Sequence, residues 1–160
     1  MKGKISLLAG DLRVNNIVRL NNLEYHPEFN GRLCIVQGVQ ANNANGCVVW
    51  LRVAGDLPIH EKIVSNICQL IEYVAPVELT PEILEKCGFE RKFNYASNRN
   101  SFHVSSKGRD FALEVIDENQ WSFYQINNVG MIHRLASLQY LHQLQNLYYT
   151  LCGTELNINL

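Results

Sequence analysis

The chain has 160 residues, 47% of them hydrophobic, enough to bury a core as one domain or as two small packed units. With 14 basic residues against 15 acidic ones, no global field draws it to nucleic acid or to a membrane surface. No stretch approaches the roughly 18 apolar residues of a membrane span, and the apolar run in the opening MKGKISLLAG is too short for a signal peptide.

The 18 asparagines point to a turn-rich protein, because Asn tolerates left-handed backbone and bonds nearby backbone groups. Cys34, Cys47, Cys68, Cys87 and Cys152 are odd in number and never form a C-x-x-C pair. Three of them lie in apolar strand-like runs, where a thiol acts as a small hydrophobe. A reducing, cytoplasmic setting is the expectation.

In chain order, Ile5, Leu7 and Leu8 suit an edge strand before a Gly10–Asp11 turn. Val14, Ile17, Val18 and Leu20 lead into a turn at Asn21–Asn22, and residues 25–31 read as a loop. Residues 33–39 form a β-branched run, NNANG at 42–46 signals a hairpin, and CVVWLRV at 47–53 returns as a strand. Residues 67–74 supply another. Hairpin-linked strands in so short a span predict a small SH3-like β-barrel over residues 1–75, although the same strands would fit one larger sheet.

A second compact unit is expected over residues 76–160. Thr80 is an N-cap, Pro81 takes the first helical position, Glu82 favours the positive end of the dipole and Gly88 ends the helix. Strands follow at 92–95, 102–105, 111–116 and 121–126, with turns at 98–100, 107–108 and 117–119. Leu138, Leu141, Leu144, Tyr148 and Leu151 then recur at spacings of three and four, predicting a helix over 137–153 capped by Ser137 and Gly153. Leu156 and Ile158 suit a short tail strand. The class is α+β: a barrel, then an α-β-β-β-β-α unit with an antiparallel sheet.

Two blocks carry a resemblance. Residues 77–89 (VELTPEILEKCGF) and 140–149 (YLHQLQNLYY), followed by Gly153 and Glu155-Leu156, resemble paired signatures of a family of small uncharacterised proteins from Bacteroidota, their phages and mobile elements. Asp11-Leu12-Arg13-Val14-Asn15-Asn16 is similar to how those proteins begin. The resemblance implies a non-essential accessory role in phage–host conflict and assigns no residue a function. Cys152, where the family more often has Thr, and the segment 56–65 depart from its pattern.

There is no G-x-S-x-G, no Walker phosphate loop, no G-x-G-x-x-G and no H-E-x-x-H. His26, His60, His103, His133 and His142 include no helical metal pair. No catalytic residue, metal site or cofactor is expected, and His142 reads as a packed helix residue. The local bias is basic. Arg91, Lys92, Arg99, Lys107 and Arg109 have no acid between them and are interleaved with Phe93, Tyr95, Phe102 and His103. Brought together, such groups would hold a phosphate beside a stacked base; apart, they are a solvated hairpin surface.

The expectation is a non-enzymatic binding protein for a small nucleotide-like ligand or a host protein. Arg99, Lys107 and Arg109 would contact phosphate, and Tyr95, His103 or Trp121 the base. The alternatives are a nucleic-acid-associated module, disfavoured by the neutral charge, and a small hydrolase using His103 or His133 as base. One of Tyr148 and Tyr149 falls off the apolar stripe, and an exposed ring there would seed a homodimer.

Overall fold

A computed structural model describes residues 7–42, 46–54, 66–94, 98–117, 119–127, 129–130 and 132–159. The chain forms two compact units, Met1–Val77 and Glu78–Leu160. Each has an antiparallel sheet, and the second adds two α-helices.

In the first unit the strands are β1 (Ile17–Leu20), β2 (Leu33–Asn42), β3 (Gly46–Val53), β4 (Asn66–Leu70) and β5 (Val74–Pro76). They lie in the order β4-β3-β2-β1-β5. No closed barrel forms among the described residues: β4 and β5 are the two ends of that order. Strict alternation builds the core from β3, where Val49, Leu51 and Val53 are buried while Trp50 and Arg52 face out. Val18, Leu20, Cys34, Val36 and Val74 complete it. Burial pushes the Cys34 thiol up to about 12, which keeps it protonated and inert.

The segment between β1 and β2 is held by its own side chains. The Asn30 carboxamide accepts from the Leu23 N–H at 2.8 Å and donates to the Leu23 carbonyl at 3.3 Å. Gly31 N–H reaches the Leu20 carbonyl, and a one-turn 3-10 helix at Pro27–Phe29 sinks Phe29 into the core. Across from it a second 3-10 turn, Ile71–Tyr73, links β4 to β5, and the Tyr73 carbonyl accepts from Asn21 N–H at 2.9 Å.

The second unit opens with α1 (Pro81–Lys86), capped by Thr80, whose hydroxyl accepts from Ile83 N–H at 3.3 Å. A meander follows: β6 (Glu90–Asn94), β7 (Arg99–Ser106), β8 (Arg109–Asp117), β9 (Gln120–Ile126) and β10 (Ile132–Leu138), paired in sequence order. The sheet therefore has five strands where four were expected. Apart from Leu138 and a half-buried Ala136, β10 is exposed and is defined by its ladder to β9.

That ladder also shortens the closing helix. Ser137 pairs with Ser122 inside the sheet, and α2 (Leu141–Cys152) begins later, where the Gln143 side chain accepts from the N–H groups of Gln139 and Tyr140. At the other end Gly153 adopts the expected left-handed conformation, φ 66°. Leu141, Leu144 and Tyr148 are buried on α2, and Tyr148 meets Phe111 edge to face at 6.2 Å. Phe111 in turn stacks on Phe123 at 5.3 Å, and Leu84 and Phe89 around α1 are buried as well. Leu156 is buried, but no tail strand forms. Among the described residues no helix is long and apolar enough to cross a membrane.

Candidate functional site: a cationic cleft beside α1

β-register decides which side chains of the basic–aromatic segment share a face. Arg91 lies opposite Phe102, and Phe93 opposite Asn100, so all four project to the face of the sheet that also carries Trp121. There, beside Pro81 at the start of α1, they line a cleft of about 300 Å³ that also takes in Asn98, Arg99 and Val115. Its floor is Phe102 and Trp121, edge to face at 5.6 Å and both buried. The Trp121 indole donates to the Leu79 carbonyl at 3.2 Å, which fixes the ring as structure.

The walls carry the chemistry. The Arg91 guanidinium sits 5.3 Å above the Phe102 ring, and its Nε is 3.4 Å from a Glu85 carboxylate oxygen. Arg99 opens β7 next to Asn98, whose φ of 53° makes the left-handed turn entering the strand. It spends one N–H on the Val115 carbonyl at 3.0 Å, and a guanidinium has five. Phe93 presents a half-exposed ring. Among the described residues the lining holds no carboxylate, imidazole, thiol or hydroxyl. It offers positive charge, amides and aromatic surface.

Of the residues expected to bind ligand, Arg99 and Trp121 share this cleft, Trp121 as floor. Lys107 and Arg109 flank the β7–β8 turn, where Lys107 and Gly108 both have positive φ. From there Lys107 Nζ donates to the Cys152 carbonyl and Arg109 Nη1 to the Leu151 carbonyl, each at 2.7 Å. Both cations are thereby tied to the negative end of the α2 dipole and satisfy terminal carbonyls that the helix cannot.

His103 is on the other face of the sheet, where its Nε2 is 2.8 Å from Ser101 Oγ. Desolvation first, then the Lys92 charge, lower its pKa from 6.5, so the ring is neutral at pH 7. Ser101, 2% exposed, donates to the Lys92 carbonyl. Tyr95 lies outside the described residues.

Arg91 and Phe93, part of the basic–aromatic segment but not among the expected ligand contacts, also line the cleft. Their spacing of two on one strand was the available signal, since it puts both on one face.

Among the described residues no group of three His, Cys, Asp or Glu side chains is placed to hold a metal. Compared with known protein families, curated proteins and solved structures, the chain finds no match.

Proposed function

We propose that the protein is a non-enzymatic binding protein whose C-terminal unit holds a small nucleotide-like anion in the cleft beside α1. Phosphate oxygens would sit between Arg91 and Arg99, with the base against Phe93. The observation that carries this reading is a described lining with two guanidiniums and an exposed ring. Sequestration of a nucleotide signal by a phage-type accessory protein fits such chemistry, and so the resemblance of the 77–89 and 140–149 blocks is given that meaning. In the N-terminal unit, the strand order and the 3-10 turn between β4 and β5 support an SH3-like connectivity. Tyr149, 44% exposed beside the buried Tyr148, supports a weak homodimer through α2.

Calorimetry against mononucleotides, cyclic nucleotides and ADP-ribose tests the main reading. At least one member is expected to bind, with Arg91→Ala and Arg99→Ala each weakening it about tenfold or more, the worth of a charge-assisted contact. Lys107→Ala should leave affinity unchanged. Absence of heat with every member, or affinity indifferent to both arginines, overturns the proposal.

A further inference from the structure

The N-terminal unit carries a second recessed surface, unlike the first in charge. Three contiguous hollows, of about 530, 150 and 230 Å³, share Leu23 as a lining residue. Together they make one trough. One wall is the Asn30-braced segment between β1 and β2; the other is β4 with the 3-10 turn after it.

The trough is graded along its length. Glu24 and Glu72, both exposed, stand at the widest end with Tyr73 between the walls. The middle is flanked by Tyr25, whose ring is 91% exposed, and by Gln69. The far end is apolar, with Phe29 and Ile67. Carboxylates at the mouth repel phosphate and attract a cation. An exposed ring beside such a recess is amphipathic contact area for a partner. Gln69 and Asn66 place side-chain amides along the β4 wall, a chemistry that suits the backbone of an extended chain.

We infer that this trough binds an extended peptide segment carrying an arginine or lysine at one end and an aliphatic side chain a few residues away. The cation sits between Glu24 and Glu72, the backbone crosses Tyr25 and Tyr73, and the aliphatic group enters the hollow at Phe29 and Ile67. This is a partner-protein contact, separate from the anion cleft and from whatever that cleft holds.

Fluorescence anisotropy on the full chain tests it. The probes are labelled ten-residue peptides that pair two arginines with a leucine at varied spacing, and matched peptides with glutamate in place of arginine. Saturable binding is expected for at least one arginine spacing and for no glutamate peptide. The double variant Glu24→Gln, Glu72→Gln should weaken it about tenfold, Tyr25→Ala comparably, and Arg99→Ala not at all. Amide shifts on titration should fall in residues 22–30 and 66–73. The inference is overturned if no arginine peptide binds, if glutamate peptides bind as well, if the charge variant binds normally, or if the shifts map elsewhere.

Discussion

His103 shows how one residue's surroundings set its behaviour. On an open sheet face it would titrate near 6.5, but partial burial and the Lys92 charge hold its folded pKa below that value. The unfolded chain therefore takes up a proton that the folded chain resists. Its contribution to stability is full above about pH 6.5 and is lost as pH falls from there toward the depressed folded value. His103→Gln, which keeps a partner for Ser101, is expected to flatten the pH dependence of the melting temperature on the acid side of neutrality. An unchanged acid limb would show that the ring is not what titrates there. Arg99 makes the complementary point: a strand-end cation used for one backbone bond keeps further N–H donors.

At the scale of the element, α2 depends on groups far from it in sequence. Its N-terminal end is closed locally by Gln143, but its C-terminal carbonyls are met by Lys107 and Arg109 from the β7–β8 turn. Each such contact to a helix terminus is worth about 0.3–1 kcal/mol at an exposed position. Lys107→Ala with Arg109→Ala is therefore expected to lower unfolding free energy by roughly 1–2 kcal/mol in urea titration. Added salt should erode the difference. A double variant as stable as the parent would mean that the two bonds are replaced by water at no cost. The fifth strand also belongs at this scale. β10 owes its place to hydrogen-bond pairing with β9, with a bulge between Arg134 and Ala136, and little to its own side chains.

For the whole molecule, the decisive feature is that each unit owns a core. In the second, Leu84, Phe102, Phe111, Leu113, Phe123, Leu141 and Leu144 are all essentially buried, each worth about 1.5–3 kcal/mol of removal from water. Residues 78–160 expressed alone are accordingly expected to retain a β-rich far-UV spectrum and a cooperative thermal transition. A broad, non-cooperative melt would show that this core does not suffice by itself. The two recesses differ in the same modular way, the cleft beside α1 cationic and the Leu23 trough acidic, although the chain as a whole is almost neutral.

Local chemistry was legible without coordinates. Thr80-Pro81 and Gly88 bound α1, Lys107-Gly108 makes its turn and Gly153 ends α2, because a cap or a positive φ is satisfied by the residues at hand. The run CVVWLRV at 47–53 likewise marked β3 as a strand. What required the fold was everything set by pairing over distance. Ser137 looked like a helix cap and became a strand residue because Ser122 competes for its backbone neighbourhood. The basic run from Arg91 to Arg109 was one feature in the sequence. Register split it into a pair lining the cleft, a helix clamp and a histidine on the opposite face, since alternate residues of a strand and alternate turns of a meander point in opposite directions.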